Sequence, residues 1–201
     1  GNTARAIQIY EAALVRAPGH PQLTAHLARW QREVDLHAGF FREEGSHFTV
    51  MFDGPASQAA ATAAVGILER AYARVGDALL TYPAGPIQVV LYTREQFRDV
   101  TRSPEWAGGA YDGRIRVPVG GEQLDRREFE RVLSHEYVHA VVHSVAPTGV
   151  PAWLGEGLAV LLEREGATSS NTRAAKTLAF DTVSRSFAAI PPGEVGAAYQ
   201  A

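Results

Sequence analysis

A chain of 201 residues, 46% hydrophobic and 20% charged, is long enough for one well-buried domain plus a small appendage and too short for two full domains. Its net charge of −3, with the arginines scattered, offers no basic field to recruit nucleic acid or an anionic membrane surface. Cysteine is absent, which excludes disulfides, thiol nucleophiles and cysteine-held metals, so any metal must be bound through histidine and carboxylate.

The N-terminus starts inside a helical pattern, without an initiating Met or the charged-then-apolar plan of a signal peptide, and reads as a piece of a longer protein. Residues 4–17 have helical periodicity and stop at Pro18-Gly19. Ala6, Tyr10, Ala13 and Pro18 fall at the spacing of the second helix of a tetratricopeptide repeat, which they resemble; an amphipathic helix with a small-residue face is the alternative. Pro21 opens a second helical stretch, with Leu23, Leu27, Trp30, Val34 and Phe41 on one stripe, so a helical hairpin is expected. Residues 47–52, HFTVMF, alternate as a strand and end at Asp53-Gly54-Pro55. A long Ala-rich helix from about Ser57 to Leu80 follows, and then IQVVLY (87–92), a near-continuous apolar run suited to a central strand.

Thr93 and Gln96 form a capping box for a short helix. Residues 107–119 read as a hairpin turning at Asp112-Gly113, and Pro118 predicts that Ile115, Arg116 and Val117 lie on an exposed edge strand. Asp125 and Glu128 mark the start of a helix through residue 139 and beyond, and another helix is expected from about Pro151 to Glu163. Further helical stretches are expected at about Arg173 to Val183 and from Glu194. No run of about 18 apolar residues is present, so no membrane span is expected. Strands first and consecutive helices after make an α+β pattern, a small mixed sheet packed on helices.

Within that pattern, His135-Glu136-Tyr137-Val138-His139 is H-E-x-x-H on a helix. Residues four apart share a helical face, so both imidazoles can reach one ion, and Glu136 beside them can take a proton from metal-bound water. The flanking residues are apolar, which predicts a buried helix. Burying two histidines and a glutamate without a partner costs several kcal/mol, which a cation offsets. Glu156 lies in the next helix, in an otherwise apolar stretch, and supplies the third ligand that a catalytic zinc requires.

His135–His139 followed by Trp153-Leu-Gly-Glu-Gly-Leu-Ala159 strongly resembles the gluzincin metallopeptidases, in particular the peptidase MA-like domains often attached to tetratricopeptide repeats. The resemblance covers roughly residues 46–201. It implies a zincin-like domain over 46–201, truncated at its C-terminus, after a helical segment with a partial repeat at 1–45. It also implies zinc on His135, His139 and Glu156, Glu136 as general base, and a sheet edge that holds an extended peptide. The compartment it suggests is extracytoplasmic. Position 160, where the thermolysin pattern has a supporting Asp, is Val here, and no G-x-M-E-N motif is present, so internal peptide bonds are the expected targets. In aminopeptidase N-like relatives a tyrosine on a later helix stabilises the oxyanion; Tyr199 stands at that stage of the chain, with Tyr111 the alternative.

His143 continues the His135 and His139 face and is expected to pack or to support the site. His20, His26, His37 and His47 are expected to be surface or core residues. Three functions are open: hydrolysis of a peptide or protein substrate; a peptide-binding or scaffolding module that keeps the fold and the zinc without turnover; or an assembly appendage to a repeat array, against which the intact His-Glu-His-Glu set argues. The repeat region is a possible contact for a protein partner.

Overall fold

The computed structural model describes residues 3–104, 107–120 and 125–163. Helices α1 (Thr3–Arg16) and α2 (Pro21–His37) come first. Pro21 suits the first turn of α2, where its missing N–H is not needed, and His20 caps that turn through a contact from the Leu23 amide. Tyr10 of α1 meets Trp30 of α2 edge to face, 4.6 Å between ring centroids.

The sheet comprises β1 (Phe41–Glu44), β2 (Phe48–Phe52), β3 (Ile87–Tyr92), β4 (Ala110–Tyr111) and β5 (Ile115–Pro118), in the order β1-β2-β3-β5-β4. β2, β3 and β5 run parallel, while β1 and β4 pair antiparallel at the two edges. Helix α3 (Gln58–Leu79) links β2 to β3 and α4 (Arg94–Thr101) follows β3. Helices α5 (Arg126–Val145) and α6 (Ala152–Leu162) complete the described chain. The Thr93–Gln96 capping box opens α4 as expected, both of its hydrogen bonds being present. Among the described residues, no helix is long and apolar enough to cross a membrane.

Both faces of the sheet are covered, and the two-residue period of the strands sorts their side chains. Phe48, Val50 and Phe52 of β2, Val89 and Leu91 of β3, and Ile115 and Val117 of β5 join the core built with α3 and α5. Met51, Val90 and Tyr92 belong to a second cluster, with Phe97 of α4 and with Leu36 and Phe40 from the end of the helical segment. Burial on both faces is why β3 reads as a near-continuous apolar run. Each large aliphatic side chain so buried contributes about 1.5–3 kcal/mol.

Two expectations are corrected. The helical stripe does not extend to Phe41: α2 ends at His37, and residues 41–44 pair with β2, where Phe41 stacks on Phe52. Residues 41–44 are therefore part of the sheet. Nor do Ile115, Arg116 and Val117 form an exposed edge. All three are buried, because β5 lies between β3 and β4. Pro118 is compatible with this interior place because it ends the strand opposite Tyr92, and the next amide, of Val119, donates to the Tyr92 carbonyl at 2.6 Å. On that side of the sheet the edge strand is β4.

Arg116 leans away from the main core into an ionic network that ties the helical segment to the sheet. It meets Glu33 of α2 at 2.9 Å and Asp112 at 2.9 Å, and donates to the Tyr92 hydroxyl at 2.6 Å. Arg114, at the β4–β5 turn, also reaches Glu33 at 3.0 Å and donates to Thr3 of α1 at 2.6 Å. His37 completes the cluster at 2.8 Å from the Tyr92 hydroxyl, and burial lowers its pKa to about 4, leaving the ring neutral at pH 7.

Glu33 and Arg116 are buried, so removing one partner leaves charge without compensation. Glu33→Leu is expected to cost about 3–5 kcal/mol in urea melts, since it removes the buried carboxylate that both guanidinium groups meet. Arg114→Met should cost less, because Arg116 still neutralises Glu33. Equal, small losses for both would show that the network does not anchor α2.

Candidate metal and catalytic centre

Helix α5 carries most of the site. Asp125 starts it as N-cap, accepting from the amides of Arg127 at 2.9 Å and Glu128 at 3.4 Å. Phe129, Val132, Leu133, Tyr137, Val138, Ala140 and Val141 then bury the helix against α3, α6, β4 and β5. His135 and Glu136 are carried into this burial with them. The turn over residues 146–150 brings α6 back against α5, and Glu156 faces the two histidines.

His135 Nε2 and His139 Nε2 lie 3.2 Å apart. Glu156 Oε2 is 3.3 Å from His135 Nε2, and Glu156 Oε1 is 3.5 Å from His139 Nε2. Metal–ligand bonds of about 2.0–2.2 Å in a tetrahedron place ligand atoms about 3.3–3.5 Å apart. The two imidazole nitrogens and the two Glu156 oxygens thus bracket a common space at separations close to these, and the three residues form a group that can hold a metal ion. Glu156 Oε2 is buried and, although 3.3 Å from His135 Nε2, meets no donor in hydrogen-bonding geometry, so a cation held between the residues would satisfy it. His139 and Glu156 each keep 21% side-chain exposure, so the group opens toward solvent on their side.

The charges of the site follow from these contacts. Burial lowers the His135 pKa, but its contacts with Glu156 and Glu163 and the charge of Glu136 outweigh that, and it rises to about 9. Burial raises that of Glu156, yet the two histidines pull it down to about 2. A cation entering the group takes the place of the proton on His135. Glu136 moves upward: burial dominates over the attraction of His135 and His139.

The four residues line a cavity of about 460 Å³ together with Tyr111 of β4 and His143. Gly109, just before β4, runs so close that a Cβ built there would meet Glu136 Oε1 at 2.7 Å and Val132 Cγ1 at 2.9 Å. Only glycine permits that approach of backbone to carboxylate. Burial, with the charge of Asp112, raises the Tyr111 pKa and keeps its hydroxyl protonated.

Other expected residues fall elsewhere. His143 is exposed and meets Tyr111 ring to ring at 5.7 Å, outside the ligand group. His20, His26, His37 and His47 lie away from the site; His47, for instance, pairs with Glu69 at 2.6 Å. Tyr199 lies outside the described residues. Sequence reasoning missed Glu163, buried at the end of α6, with Oε2 at 3.0 Å from His135 Nδ1 and 2.9 Å from Arg131 Nη1. The available signal was its place seven residues after Glu156 on the same helix, since a heptad drifts only about 20° around the axis.

Compared with protein-family models, curated proteins and solved structures, the chain shows no match, so its own geometry carries the functional reading.

Proposed function

We propose that the chain is a zinc-dependent peptidase domain of the gluzincin type, cleaving internal peptide bonds. The observation that carries this reading is the convergence of the His135 and His139 Nε2 atoms, 3.2 Å apart, on the two Glu156 oxygens at 3.3 and 3.5 Å, one of them without a hydrogen bond, beside a buried Glu136 in the same cavity. A donor set of two imidazoles and one carboxylate suits zinc, and three protein ligands leave one position open. When bound, zinc supplies Lewis acidity to a carbonyl oxygen and acidifies a water molecule.

The chain's own residues supply the rest. Glu136, its proton affinity raised by burial, accepts the proton of the attacking water and can pass it to the leaving nitrogen. The Tyr111 hydroxyl is a donor on the cavity wall for the developing oxyanion, a role the sequence assigns first to Tyr199. Edge strand β4 supports the docking of an extended peptide by strand addition, in place of the β5 residues expected for that task. No amine-recognition motif accompanies it, which favours internal bonds over N-terminal residues.

Protein purified without chelator should contain about one zinc per chain by elemental analysis, and His135→Ala with His139→Ala should lose it. Retention of zinc by that double variant would sink the ligand assignment. Glu136→Gln should keep the metal while hydrolysis of a peptide library falls by about two to four orders of magnitude, because an amide cannot accept the proton. Tyr111→Phe should lower turnover by about two to three orders of magnitude with metal content unchanged; an indifferent Tyr111→Phe would return the oxyanion role to Tyr199 or another group. A zinc-loaded wild type that binds peptides and cleaves none would instead make this a binding module.

A further inference from the structure

Helix α6 presents two carboxylates to α5, and the site uses only one of them. Glu156 and Glu163 are separated by seven residues, so both project from nearly the same side of α6, about 20° apart. On α5, Arg131 and His135 are separated by four and also share a face. The two pairs interlock. Glu156 takes His135 at Nε2, and Glu163 takes the same ring at Nδ1, 3.0 Å away. Arg131 closes the arrangement, holding the Glu163 oxygen that faces His135 at 2.9 Å and Glu128 at 2.6 Å.

A carboxylate oxygen accepts, so the contact between Glu163 and His135 is a donation from the ring nitrogen. The hydrogen on His135 is therefore fixed at Nδ1, and the ring plane is set by two contacts on opposite nitrogens. With a cation in place of the Nε2 proton, that nitrogen's lone pair is directed at the space between His139 and Glu156. Glu163 is itself buried, so this is an enclosed bond in which the carboxylate makes the imidazole a stronger donor. Neither Arg131 nor Glu163 is among the ligand atoms of the group.

Resting on the metal reading above, we infer that Glu163, braced by Arg131, is a positioning residue that orients His135 and strengthens its hold on the ion. The position four residues after Glu156, Val160, has no part in this.

The test is zinc affinity of the full chain, measured by competition with a chromophoric chelator, with circular dichroism as the check on folding. Glu163→Leu should weaken zinc binding by about 10–100-fold. Glu163→Gln keeps an accepting carbonyl but loses the charge, and should fall between Leu and wild type; being isosteric, it decides the matter if the Leu variant does not fold. Cobalt(II) loaded into the Gln variant should show a shifted visible spectrum, since the histidine ligand field has changed. A merely structural Glu163–Arg131 pair predicts otherwise: Glu163→Gln and Arg131→Met would lose stability alike while the folded proteins bind zinc as wild type does. That outcome, or an unchanged cobalt spectrum together with unchanged zinc affinity, overturns the inference. A wild type that binds no zinc overturns the metal reading and this inference together, whereas zinc-tight wild type with equally tight Glu163 variants overturns this inference alone.

Discussion

Helix α5 is buried around most of its circumference, and the rest of the site depends on that one constraint. A surface helix could hold H-E-x-x-H in water at little cost and signify nothing. Inside the protein, His135 and Glu136 have to be compensated, because an unpaired buried polar group costs kilocalories. The structure compensates them with carboxylates from α6 and with contacts among themselves, and the compensation is incomplete at Glu156 Oε2. An oxygen without a hydrogen bond at the meeting point of two imidazoles and a carboxylate leaves a place that a cation could fill. The same burial raises the proton affinity of Glu136, which suits it to the proton-accepting role proposed above. Fold stability and chemistry thus draw on a single packing arrangement.

Much of this was legible in the sequence, for reasons that differ by element. The capping box at Thr93 and Gln96 and the N-cap at Asp125 are local signals, set by side chains bonding backbone within one turn, and they hold. The pairing of His135 with His139 was legible because helical spacing turns sequence into geometry, residues four apart facing one way, and Glu156 stood out as a lone carboxylate in an apolar stretch. The α+β class followed from the order of strands and helices. Strand order did not. Which strand lies at an edge is decided by long-range pairing, and Pro118 misled because a proline at a strand end leaves the ladder as intact as one at an edge does. Arg116 was equally opaque. A charged residue in a short strand reads as solvent-facing until the partner that neutralises it, Glu33, arrives from a helix more than eighty residues earlier in the chain.

Glu163 shows a subtler limit. Its helix and its face could be computed from the sequence, since it repeats the position of Glu156 after a heptad. Its role could not, because that depends on the lateral offset between α5 and α6, which the turn over residues 146–150 sets. A shift of one helical turn would move Glu163 off His135. The sequence names the donors on each helix, and only the packing says which nitrogen each carboxylate reaches.

The correction of the sheet edge also changes how the two ends of the molecule relate. With β5 inside the sheet, the strand beside the cavity is β4, and its preceding residue, Gly109, runs within contact of Glu136. β4 is only two residues long, so its own ladder does little to fix it. What fixes it is the turn that follows: Asp112 grips Arg116, and Arg114 is held by Glu33 and Thr3. The helical segment therefore does not merely precede the main body. Through Glu33 it secures the turn and thereby β4, and β4 sets the wall that stands against Glu136. A short edge strand pinned from its turn gives a wall with exposed backbone on one side and a fixed distance to the carboxylate on the other. An accessible edge and a constant spacing are both required if an extended chain is to be presented to Glu136, and neither follows from the H-E-x-x-H residues alone.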